Sequence, residues 1–142
     1  MNDSPLTFST TSDNGAALKQ IRQQLGSFAR QIDPQGSLGD DVETIVAEIL
    51  DNIREHNQVG TPVTVRASHG SNTLELEFRD EGIAFDPLQA ESPDVDLPVS
   101  QRGIGGLGIH IARCLAQQLH YRRSPEGENV LTVQLSLPRV EG

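Results

Sequence analysis

From Ala16 to about Ile32 the apolar positions Ala17, Leu18, Ile21, Leu25, Phe28, Ala29 and Ile32 recur at helical spacing, and the run closes at Asp33-Pro34. Pro34 and Gly36 break the chain before a second helix, from about Leu38 to Gln58, with Val42, Ile45, Val46, Ile49 and Ile53 as its stripe. After Gly60 and Pro62 the period changes to two: Val63, Val65 and Ala67 alternate with Thr64, Arg66 and Ser68, and the segment reads as a strand. His69-Gly-Ser-Asn72 has turn composition, and Leu74, Leu76 and Phe78 then alternate with Glu75, Glu77 and Arg79, so the two strands form a hairpin. Leu6 to Ser9 predicts a short edge strand behind a frayed stretch of residues 1–5.

The pattern is lost from about Ile83 to Arg102, where Pro87, Pro93 and Pro98 interrupt a run rich in acids, a loop long enough to suggest a functional lid. A third helix is expected from the glycine cluster at Gly103 to about Leu119, with Gly108, Ile111, Ala112, Leu115 and Leu119 on one side. Strands from His120 to Ser124 and from Asn129 to Leu137 close the chain around a Pro-Glu-Gly turn. This order predicts a two-layer α/β sandwich in one domain over 1–142, with a mixed, largely antiparallel sheet and helices on one face.

Charge narrows the partners. Twenty acidic residues against 11 basic ones give a net charge of −9, and the cations are scattered, whereas binding nucleic acid requires them clustered. The acidic balance suits a basic protein surface better. A lone Cys114 and the lack of a leader-like opening predict a reduced, cytoplasmic setting, and no apolar run approaches the ~18 residues of a membrane span.

Three stretches carry candidate chemistry. On the second helix Glu48 and Asn52 stand one turn apart beside the apolar stripe, followed by His56. A mid-helix Asn costs several tenths of a kcal/mol relative to Ala. Magnesium, which takes oxygen ligands together with substrate phosphates, is a candidate to repay that cost, and Glu48 could accept a proton from an attacking hydroxyl or water. Asp80 lies in phase with Leu74, Leu76 and Phe78, so its carboxylate should point inward, where it needs donors, and an adenine amino group is one of suitable shape. Gly82 would allow close approach to a flat base or a positive φ. Gly103, Gly105 and Gly108 satisfy G-x-G-x-x-G but follow a proline-broken loop and no strand, so a dinucleotide fold does not fit. A loop running into a helix start, whose free N–H groups suit phosphate, does. Each stretch also has a plain structural reading: a solvated helix flank, a strand ending in an Asp-Glu-Gly turn, and a hinge with close helix packing.

Together, Glu48-Ile-Leu-Asp-Asn52-Ile-Arg-Glu-His56, Asp80-Glu-Gly82-Ile-Ala-Phe85-Asp86-Pro87 and Arg102-Gly-Ile-Gly-Gly-Leu-Gly-Ile109 resemble the N box and two glycine boxes of the GHKL, or Bergerat-fold, ATP-binding domains. Within that group the chain is similar to the bacterial anti-sigma factors that are also serine kinases. The resemblance implies that Asn52 holds Mg²⁺ and Asp80 holds the adenine amino group. Gly82 and Phe85 would belong to the nucleotide site, Gly103, Gly105, Gly106 and Gly108 would wrap the ATP phosphates, and residues 83–102 would form the lid. Glu48 would be the base that activates a substrate serine. A Thr near adenine on a late strand is common in the family, but Thr132 is out of phase with Leu131, Val133 and Leu135 and is not assigned that role. The resemblance further implies two partners, a STAS-type anti-sigma factor antagonist and a sigma factor, and a homodimer. A different class of reading keeps the pocket without catalysis, as a switch module that changes partner with ATP or ADP.

Overall fold

The computed structural model describes residues 5–84, 86 and 112–137. Its elements are β1 (Leu6–Thr11), α1 (Gly15–Ile32), α2 (Leu38–His56), β2 (Pro62–His69), β3 (Thr73–Asp80), β4 (Gln118–Arg123) and β5 (Asn129–Ser136). The strands form one sheet in the order β1-β2-β3-β5-β4. All four pairings are antiparallel, so among the described residues the sheet has none of the expected mixed character.

The first two helices start differently, α1 at a capping side chain and α2 at an acidic first turn. The Asn14 side chain accepts a hydrogen bond from the Ala17 N–H at 3.1 Å, satisfying one of the free donors at the start of α1. Asp40 and Asp41 occupy the first turn of α2, where negative charge favours the helix dipole, and Arg54 and His56 occupy its last turn. Leu18, Ile21, Leu25 and Ala29 of α1 and Val42, Ile45, Val46, Ile49 and Ile53 of α2 are buried, following the spacing in the sequence. They share one core with the inward-facing residues of β2, β3 and β5.

Register decides which residues meet across the sheet. Val65, Phe78 and Leu131 form one rung, with Tyr121 of β4 beyond them, while Ala67, Leu76 and Val133 form another that ends at Leu119. The intervening residues lie on the opposite face, where Arg79 pairs with Glu77 at 2.7 Å and Glu128 at 3.2 Å. Thr132 lies on that face between Glu77 and His120, as its phase indicates.

The third helix is shorter at its C-terminal end than its periodicity suggests. Residues 112–115 are helical, but Leu119 belongs to β4 and packs against the core from there. Leu115 and Leu119 have helical spacing, whereas Leu119 and Tyr121 have strand spacing. The chain follows the second pattern because β5 offers a free edge: the Gln117 N–H already donates to the Gln134 carbonyl at 2.7 Å.

Ile45 is fully buried at the centre of α2. Ile45→Ala should lower unfolding free energy by about 2–5 kcal/mol, measured as a shift of the urea midpoint at constant slope.

Candidate functional site

A small, open-mouthed cavity lies between α2 and the end of the sheet where β3 finishes and β5 begins. Ile49, Ile53, Phe78 and Leu131 supply apolar walls, and Asn52, His56, Asn57, Asp80, Tyr121 and Asn129 supply the polar groups. A mostly apolar wall with a few convergent polar groups is the usual construction of a small-molecule site.

Asp80 is 6% exposed, as its phase on β3 requires. Three donors end on its Oδ1: the Asn129 Nδ2 at 2.9 Å, the Gly82 N–H at 3.1 Å and the Asn57 Nδ2 at 3.2 Å. No described residue donates to Oδ2. The carboxylate is thus kept in an apolar setting by hydrogen bonds to one oxygen, with its second oxygen left as an acceptor for whatever enters the cavity.

Asn129 is the partner that sequence reasoning missed. It is 6% exposed and stands directly opposite Asp80 in the β3–β5 register. Its Nδ2 donates to Asp80 Oδ1 and to the Ile83 carbonyl at 2.7 Å, while its Oδ1 accepts from the Tyr121 hydroxyl at 2.6 Å. Both groups facing the nitrogen are acceptors, which fixes the orientation of the amide and obliges Tyr121 to be the donor. The signal was available, because Asn129 is in phase with Leu131, Val133 and Leu135, the same reason that Asp80 must face inward.

Asn57 was missed as well. It follows α2 as its C-cap and bridges the Ile53 carbonyl, at 2.9 Å, to Asp80. Gly82 is close against it: a Cβ at Gly82 would run into the Asn57 carboxamide. That close approach explains the glycine, and the positive φ considered from sequence is not adopted; Gly60 and Gly127 are the glycines with positive φ among the described residues. Gly82 lies outside the cavity lining.

Asn52 faces the cavity from α2, one turn before His56, and is 7% exposed. Among the described residues its carboxamide has no hydrogen-bond partner. Its polar atoms are reached from the cavity, so a ligand entering there would meet a carboxamide free to pair with it. Glu48 is half-buried one turn earlier and does not line the cavity. Burial, then repulsion from Asp51 and Glu55, raises its pKa above the ordinary carboxylate value. Phe85, Gly103, Gly105, Gly106 and Gly108 lie outside the described residues. No group of three or more His, Cys, Asp or Glu side chains that could hold a metal occurs among the described residues.

The family described as histidine kinase-like ATPase domain matches residues 11–135. The chain belongs to that family. Two curated relatives are anti-sigma F factors. The one from Halalkalibacterium halodurans is 30% identical over 67% of this chain and 70% of its own length. The one from Oceanobacillus iheyensis is 26% identical over 95% of this chain and 94% of its own. The chain is therefore an anti-sigma-factor-like member of this ATPase-domain family, whose members bind nucleotide, and its antiparallel sheet with covering helices is consistent with the Bergerat fold. Among the described residues no helix is long and apolar enough to cross a membrane.

Two outcomes follow from the polar groups. A raised carboxyl pKa means that the native state binds a proton more tightly than the unfolded one, so Glu48 lowers stability as pH rises through its native pKa. Glu48→Gln should unfold at slightly higher temperature than the parent at pH 7, and the difference should vanish below the ordinary carboxylate range. Asn129→Asp sets an acceptor-only oxygen against Asp80 and the Ile83 carbonyl, and should cost about 3–5 kcal/mol at pH 7 by urea unfolding.

Proposed function

We propose that the chain is an ATP-dependent serine kinase of the anti-sigma type, which phosphorylates a STAS-type antagonist and, in its other state, holds a sigma factor inactive. The observation that carries the nucleotide site is the nearly buried Asn52 carboxamide, without a partner among the described residues, lining the same cavity as the Asp80 carboxylate. Adenine would lie between Ile49, Ile53, Phe78 and Leu131, with its amino group donating to Asp80 Oδ2. Phosphates would then run along α2 toward Asn52.

The donors fit magnesium. Asn52 presents a carboxamide oxygen without a competing partner, a hard ligand of the kind that binds this ion together with substrate phosphates. When bound, the ion would neutralise phosphate charge and fix the terminal group for in-line displacement. Glu48 would accept the proton of the attacking serine hydroxyl as the new O–P bond forms and the bond from the γ-phosphorus to the bridging oxygen of ADP breaks. Its raised pKa makes it a better base than an ordinary exposed carboxylate. The sigma factor as partner is supported by similarity to anti-sigma F factors, and the antagonist and the kinase activity by the resemblance of the three sequence boxes.

A second reading, an ATP- or ADP-responsive switch without transfer, is favoured by one fact: Glu48 does not line the cavity. Incubation with labelled ATP, magnesium and a STAS-type protein from the same genome separates the two. A kinase should label the partner's serine, and Glu48→Gln should abolish labelling with ATP binding retained. A partner left unlabelled by the parent protein leaves the switch.

ATP with magnesium at 100 times its dissociation constant should add about 2.7 kcal/mol to stability, read as a thermal shift. In Asn52→Ala the part of that shift that depends on magnesium should disappear. An unchanged shift removes the metal role from Asn52.

A further inference from the structure

The three donors on Asp80 Oδ1 do more than stabilise a buried charge. An ionised carboxylate has two oxygens, each with about two lone-pair directions. Here Oδ1 is fully taken by Asn57, Gly82 and Asn129, and no described residue donates to Oδ2. The group therefore meets a ligand as a one-oxygen acceptor. Adenine offers its 6-amino group beside an acceptor nitrogen, a pattern that one oxygen can read. Guanine offers two adjacent donors, N1–H and the 2-amino group, which pair best with both oxygens of a carboxylate held side-on.

We propose that Asn57 and Asn129 are the positioning residues that set base specificity, by occupying Asp80 Oδ1 so that the carboxylate accepts a single N–H and selects 6-aminopurine over guanine nucleotides. This inference rests on the nucleotide reading of the cavity. The two amides are themselves fixed from outside the pocket. Tyr121 accounts for the Asn129 oxygen, and the Ile53 carbonyl at the end of α2 receives a hydrogen bond from the Asn57 nitrogen. Because Asn57 follows the helix that carries Asn52 while Asn129 starts a strand, the carboxylate is held from both layers of the fold.

The test is competition of ATP and GTP against a fluorescent ATP analogue, with magnesium, on the full chain and on the Asn57→Ala, Asn129→Ala and double variants. The parent should bind ATP in preference to GTP. Removing the amides frees Oδ1, so the ATP-to-GTP affinity ratio should fall by about tenfold or more in the double variant, the worth of a charge-assisted hydrogen bond. A purely structural role would weaken both nucleotides in parallel and leave the ratio unchanged, and that result overturns the proposal while sparing the nucleotide site. A parent that binds ATP and GTP equally overturns it too. Binding of neither nucleotide by a folded parent overturns this proposal and the cavity assignment together. Should Asn129→Ala fail to fold, Asn57→Ala decides alone, since that half-buried cap lies outside the sheet.

Discussion

The inward carboxylate of Asp80 is the constraint around which this molecule is arranged. The alternation that buries Leu74, Leu76 and Phe78 cannot stop one residue short, so the strand delivers a charge to the apolar face at its last position. An ionised group there is costly without hydrogen bonds, and every nearby element contributes to relieving that cost. The next strand in the sheet presents Asn129 directly across, the turn after β3 presents a backbone N–H at Gly82, and the segment leaving α2 presents Asn57. The cavity exists because the polar rung ends the sheet's apolar packing at the place where α2 passes over it.

Two kinds of incompleteness meet in that cavity. Asp80 is satisfied at one oxygen only, and Asn52 is nearly buried with no described partner. Neither position is needed to fill the core, since replacing buried polar groups by well-packed hydrophobic ones is often neutral or stabilising. Both side chains line the same cavity, and that shared lining together with membership of the histidine kinase-like ATPase family is what supports the nucleotide reading proposed above.

Much of this was legible in the chain. The stripe through Val42, Ile45, Ile49 and Ile53 placed α2, and period two placed the hairpin and turned Asp80 inward, because these signals come from burial on one face and need no partner to be read. The fate of Leu119 was not legible: its spacing to Leu115 is helical and its spacing to Tyr121 is that of a strand, and the deciding factor was the open edge of β5, a tertiary fact. Asn129 could have been found, since the rule that turned Asp80 inward applies to it unchanged, but an asparagine at the start of a strand after a turn also has an ordinary explanation as a turn residue. Asn57 gave no signal at all. Its role depends on how the helix end lies over the sheet, which local pattern does not encode.

The bond between Asn129 and Asp80 joins residues 49 apart in the chain. A nascent polypeptide that has completed its first hairpin already carries the acid, yet lacks the amide that holds it. The Asp80 cluster is therefore complete only once the intervening loop has closed and β5 has docked along β3. Its completion is a marker of that one long-range pairing, distinct from the hairpin and helices that form from nearer contacts.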